Sequence, residues 1–78
     1  MKRYWVYTHD LDGELVESLG DTESFGSAID LAAHEIMSGY FALGDIVIRI
    51  VDNMDNAQTC WISGPVDYMK KYFSENSR

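Results

Sequence analysis

The chain has 78 residues, thirteen acidic against six basic, and a formal net charge of −7. That length predicts a single domain, residues 1–78, with little room for an enclosed active site. The charge argues against direct binding to a nucleic-acid backbone, where like charges would meet. Hydrophobic residues at 46% and aromatics at 13% argue for a packed core and against disorder.

No apolar run approaches the ~18–20 residues of a membrane span. The start, MKRYWVYTHD, has two basic residues but no apolar stretch of the kind a signal peptide needs. Cys60 is the one cysteine, so no internal disulfide and no cysteine-based zinc site are expected. A reducing cytoplasm is the compartment this predicts, and no cofactor is expected.

Lys2 to His9 is rich in aromatic and β-branched residues and reads as a strand. Tyr4, Val6 and Thr8 point one way; Arg3, Trp5, Tyr7 and His9 point the other. Asp10-Leu11-Asp12-Gly13 is turn chemistry. Glu14 to Leu19 reads as the return strand, with Leu15 and Leu19 on one face and Glu17 between them. Charge in that strand suits an edge, where it protects unpaired backbone groups.

Thr22 to Gly39 carries the clearest pattern. Phe25, Ala28, Ile29, Ala32 and Ile36 recur at helical spacing, which places them on one side of an α-helix. Asp30, His34 and Ser38 fall on the opposite side. Asp21, Thr22 or Ser24 can cap its start, and Gly39 suits the left-handed residue that closes its end.

Tyr40 to Gly44 links the helix to Asp45 to Asp52, a strand apolar on both faces. Ile46, Ile48 and Ile50 lie on one face and Val47 and Val51 on the other, broken only by Arg49. Such a strand belongs in the middle of a sheet. Asn53 to Asn56 reads as a hairpin loop and Gln58 to Ser63 as the last strand. Gly64-Pro65 breaks it, and Val66, Met69 and Phe73 form the apolar side of a short helix that frays from Asn76.

The order is β-β-α-β-β-α. If strand three pairs with strand one, every neighbour is antiparallel and the spatial order is 2-1-3-4. The fold class is therefore α+β: a four-stranded antiparallel sheet with the long helix on one face and the short C-terminal helix. Which sheet face takes the long helix is open at this point, and so is whether Trp5, Tyr7, Val47 and Val51 lie on the other.

The residues that bear chemistry are few. Asp10 and Asp12 with Gly13 faintly suggest a calcium loop, but the ligands needed at fixed further offsets are missing, and a tight turn explains them. His9 beside Asp10 could orient a general base, and Cys60 could serve as nucleophile only if the fold brings it near. No phosphate-cradling glycine loop is present. No enzyme is predicted.

What remains are surfaces. One is acidic: Asp10, Asp12, Glu14, Glu17, Asp21 and Glu23, six acids within fourteen residues. The other is aromatic: Tyr4, Trp5, Tyr7, Tyr40, Phe41, Trp61, Tyr68 and Tyr72, of which Trp5 and Tyr7 are the chosen anchors, since Trp and Tyr are common at binding hot spots. Core packing for the aromatics and solvation for the acids are the plain alternatives.

The run SFGSAIDLAAHEIMSGYFALGDIVIRIVD, which follows an opening strand hairpin and leads through the helix into a second hairpin ending in aromatics, resembles a pattern in small phage proteins that disable host machinery. Several anti-CRISPR proteins, and a phage inhibitor of bacterial RNA polymerase, are similar in length and element order over residues 1–63. The resemblance is one of architecture and carries no site residue across. It implies a non-catalytic acidic inhibitor that binds a basic host protein complex, such as a CRISPR surveillance complex, in the host cytoplasm and blocks its nucleic-acid site. A DNA mimic often presents an unbroken acidic helix; here only Asp30 and Glu35 lie within the long helix. The alternative is a small regulatory or structural domain that self-associates as a homodimer through its aromatic sheet face.

Overall fold

The computed structural model describes residues 2–39 and 45–76. In chain order the elements are β1 (Tyr4–His9), β2 (Leu15–Thr22), α1 (Phe25–Met37), β3 (Val47–Asp52), β4 (Gln58–Ser63) and α2 (Val66–Asn76). The strands form one sheet in the order β2-β1-β3-β4. Every pair is antiparallel. The expected architecture is therefore the observed one. The expected link from Tyr40 to Gly44, with its aromatics Tyr40 and Phe41, lies outside the described residues, and so do residues 77–78.

The centre of the sheet follows from the apolar pattern of β3. Val47, Ile48, Ile50 and Val51 are buried, and Ile46 just before the strand is half-buried. Cross-strand partners share a face, so the pairs Val6↔Ile50 and Thr8↔Ile48 define the front of the sheet. There Val6, Ile48 and Ile50 form the core with Ala28 and Ala32 of α1, all at 0–1% exposure. Burying the two isoleucines stabilises the fold by about 1.5–3 kcal/mol each.

Helix α1 rests on its two small residues, so its backbone comes close to the sheet. Leu31 and Ile29 pack on either side of them. Phe25 and Ile36, expected to share that buried face, sit at its ends and are 38% and 39% exposed. Ser24 is the N-cap, its side chain accepting from Ser27 N. Gly39 closes the end at φ +83, where an L side chain would be strained.

The return strand differs from its predicted reading. β2 runs to Thr22, and its register against β1 shifts twice, between Val6 and Tyr7 and between Thr8 and His9. Each shift is a bulge that re-aims the side chains beyond it. Leu15 therefore stands opposite His9 on the back of the sheet, 58% exposed. Leu19 turns to the front and packs against the core. Strict alternation would have kept the two together.

The far end of β1 is clamped to the β3–β4 loop. Arg3 donates through Nε and Nη2 to the two carboxylate oxygens of Asp52, at 3.2 and 3.1 Å. Asp52 also accepts from Met54 N, and Asn53 N donates to Arg3 O. The Arg3 hydrogen bond holds the Asp52 carboxyl below its ordinary range. A carboxylate depressed in the folded state contributes stability that is present above its unfolded value and lost as pH falls through the folded one. Asp52→Asn should therefore lower stability at neutral pH, where the ionised carboxylate holds Arg3, and flatten the acid limb below about pH 4, where free aspartate titrates. Urea midpoints across that range check this.

Candidate functional site

The six candidate acids are strung along one edge of the molecule, and they are not equivalent. Asp10 builds the first hairpin: its Oδ1 accepts from the backbone amides of Asp12 and Glu14, each at 2.9 Å. Gly13, at φ +91, closes the turn by donating to Asp10 O. Asp12 and Glu14 are left exposed at its tip. Glu17 pairs with Thr8, which places it on the front beside α1. There Val16, Glu17, Glu35 and Ser38 line an open cavity of about 380 Å³. Asp21 stands opposite Trp5 and accepts from Lys2 N at 2.9 Å. Glu23 is exposed just before the α1 cap.

The eight residues of β2 separate the hairpin acids from Glu23 by about 26 Å, so they line an edge and do not form one knot. Among the described residues none of the six is in a salt bridge; the pair found there is Arg3–Asp52.

Trp5 and Tyr7 lie one strand inward, on the back of the sheet, half-buried. Their rings stack at 4.2 Å, and Trp5 Nε1 donates to Ser18 Oγ on β2 at 2.8 Å. Burial pushes the Tyr7 phenol above its ordinary value, against a smaller downward pull from Arg49. The sheet thus sets Asp21, Trp5 and Tyr7 together on the back, Asp12 and Glu14 at the tip, and Glu17 on the front.

Sequence reasoning missed the hub of the back face. Arg49, noted only as a break in an apolar strand, donates Nε to His9 Nε2 at 3.1 Å, Nη1 to Thr59 Oγ1 at 2.8 Å and Nη2 to Tyr68 OH at 3.0 Å. Its guanidinium carbon lies 5.5 Å from the Tyr72 ring centre. One side chain on the central strand thereby ties β1, β4 and α2 together. The signal was present: a lone charge inside a strand apolar on both faces must find partners or cost several kcal/mol, of order 3–5 if left unpaired.

The groups considered for catalysis are held apart. His9 is 3% exposed, and its Nδ1 meets the backbone carbonyl of Asp10 at 2.7 Å, not the carboxylate. His9 pairs with Val47 at one end of β3, whereas Cys60 lies on the far side of β3 beside Ile50 and Val51. Cys60 Sγ lies 3.5 Å from Ile50 O. Burial, helped by the charge of Asp52, pushes its thiol above the ordinary cysteine value. Less of it is thiolate at neutral pH, so it should react with iodoacetamide at neutral pH more slowly than a free cysteine peptide does. A thiol-consumption time course checks this.

Among the described residues no group of three or more His, Cys, Asp or Glu could hold a metal ion. No described helix is long and apolar enough to cross a membrane. No family model matches the chain, and neither the curated proteins nor the solved structures provide a match.

Proposed function

We propose that the chain is a non-catalytic, acidic protein-binding domain that sets its β2 edge on a basic surface of a host protein complex. In its fullest form this is a phage-encoded inhibitor that blocks the nucleic-acid site of such a complex, a CRISPR surveillance complex being one example. The observation that carries the reading is the distribution of charge. Asp12, Glu14, Glu17 and Glu23 are exposed along a free sheet edge. Arg3 and Arg49 are engaged within the fold by Asp52 and by the His9–Thr59–Tyr68 network. The field of that edge is left to act outward. Trp5 and Tyr7, flanking it on the back, are the apolar anchors of the docked state.

The test is a tagged pulldown from host cells, run with the parent chain and with a variant carrying Asp12→Asn, Glu14→Gln, Glu17→Gln and Glu23→Gln. Asp10 and Asp21 are left intact because their carboxylates hold backbone amides. A stoichiometric nucleic-acid-handling partner is expected with the parent and is expected to be depleted with the variant. Recovery of nothing but a second copy of the chain, with a dimer by light scattering, would favour the self-associating domain instead.

A further inference from the structure

We propose that His9 is the catch of an acid-released arm: protonating its ring frees α2 from the back of the sheet. The protonation state of the docked form follows from its partners. A backbone carbonyl only accepts, so the 2.7 Å contact with Asp10 O puts a proton on Nδ1. Arginine only donates, so the 3.1 Å contact with Arg49 Nε makes Nε2 the acceptor. The ring in the docked form is therefore neutral, with both nitrogens in use and 3% of the residue exposed.

Helix α2 depends on this arrangement. It has no buried residue, and Val66 and Phe73 are 69% and 60% exposed. Its polar hold on the sheet runs through Tyr68, whose hydroxyl accepts from Arg49, and through the Tyr72 ring beside the same guanidinium. Helix and strand are joined by Gly64-Pro65, a short break. Arg49 in turn is oriented by His9 and Thr59.

Adding a proton makes His9 Nε2 a donor. It then faces the Arg49 Nε–H, donor against donor and cation against cation, at a separation of 3.1 Å. Among the described residues no carboxylate is hydrogen-bonded to the ring or paired with it to offset the new charge. From β1 the neighbour is Tyr7, with ring centres 5.8 Å apart; from α2 it is Tyr68, at 6.1 Å; from β3 it is Arg49 itself. From β2 the paired residue is Leu15. The Asp10 carboxylate is held by the Asp12 and Glu14 amides of the turn. The strained contact opens, Arg49 loses its orientation, and α2 loses its hold. The front core of Val6, Ala28, Ala32, Ile48 and Ile50 lies across the sheet and stays closed. Stability of the docked arm is thus present while His9 is neutral and lost as pH falls. The device needs no partner and stands apart from the binding reading.

The test follows the whole chain by amide hydrogen exchange and by imidazole NMR from about pH 7.5 to about pH 5.5, either side of the range in which imidazoles take up a proton while carboxylates stay ionised. After correction for intrinsic exchange, protection of the α2 amides should fall about tenfold or more relative to β1 and β3, the scale set by losing a hydrogen bond to a charged group. That fall should coincide with His9 titration and not with that of His34, exposed on α1. His9→Gln, neutral throughout, should abolish the dependence. Should that variant fail to fold, the coincidence in the parent chain decides. His9 titrating with α2 protection unchanged would overturn the proposal. So would α2 protection that falls before His9 takes up its proton, or a His9 that stays neutral until the whole fold opens.

Discussion

Ile50→Ala is expected to lower the unfolding free energy by about 2–5 kcal/mol, the usual cost of emptying an isoleucine site in a core. Ile50 is fully buried at the point where β1, β3 and α1 meet, in a cluster with Val6, Ile48, Ala28 and Ala32. Two of those neighbours are alanines, whose side chains are too short to fill the space left behind. A domain of this size has about 4–12 kcal/mol in all, at roughly 0.05–0.15 per residue, so the loss is a large share of the total. Urea unfolding should show a lower midpoint with an unchanged slope. A shift worth less than about 1 kcal/mol, far below the core-truncation range, would mean that the centre of the core lies elsewhere.

The second large effect is expected at Arg49. Arg49→Met keeps much of the volume and removes all three donated hydrogen bonds. His9 Nε2 is then a buried acceptor without its donor, at a cost of about 1–3 kcal/mol. Tyr68 and Tyr72 lose the group that α2 is docked on. Far-ultraviolet circular dichroism should show part of the helical signal lost, and hydrogen exchange should place that loss in α2 while α1 stays protected. Arg49→Lys should fall between the two, because one ammonium cannot reproduce the planar fork that reaches three partners. A methionine variant with parental helicity and stability would show that α2 is held by something other than Arg49.

These two residues also mark what the amino-acid sequence discloses and what it leaves hidden. Ile50 was legible because a strand apolar on both faces has few places to go, and the antiparallel order 2-1-3-4 was the one expected if that strand pairs with the first. The last strand, Gln58–Ser63, is observed over the residues expected. Signals of that kind are local: a run of side chains with a period. Arg49 was visible only as an exception, since its partners His9, Thr59 and Tyr68 come from three other elements and meet only once the sheet is built. The bulges of β2 were hidden for the same reason. A register shift is a property of two strands together, so Leu15 and Leu19 look equivalent in sequence and part company in the fold.

The candidate site divides the same way. The acids and the Trp5–Tyr7 pair could be named from residue types. That Asp10 is occupied with the turn, and that Glu17 faces α1 while Asp21 faces Trp5, depends on geometry. The distinction bears on the binding reading, because steering and anchoring then fall to different groups. On the proposed reading, exposed carboxylates along β2 would act at a distance and set the rate of encounter. Trp5 and Tyr7, already half-buried, would act once contact is made and set the rate of release.

The most direct measurement is the association rate of the chain with its captured partner, taken by stopped flow across a salt series. Screening shortens from about 10 Å at 0.1 M to about 3 Å at 1 M. If the β2 edge steers the encounter, the rate should fall steeply between about 0.05 and 0.5 M salt, and the variant neutralised at Asp12, Glu14, Glu17 and Glu23 should associate slowly with little salt dependence left. A parent chain whose association rate does not change with salt, or a neutralised variant that associates as fast as the parent, would contradict the account.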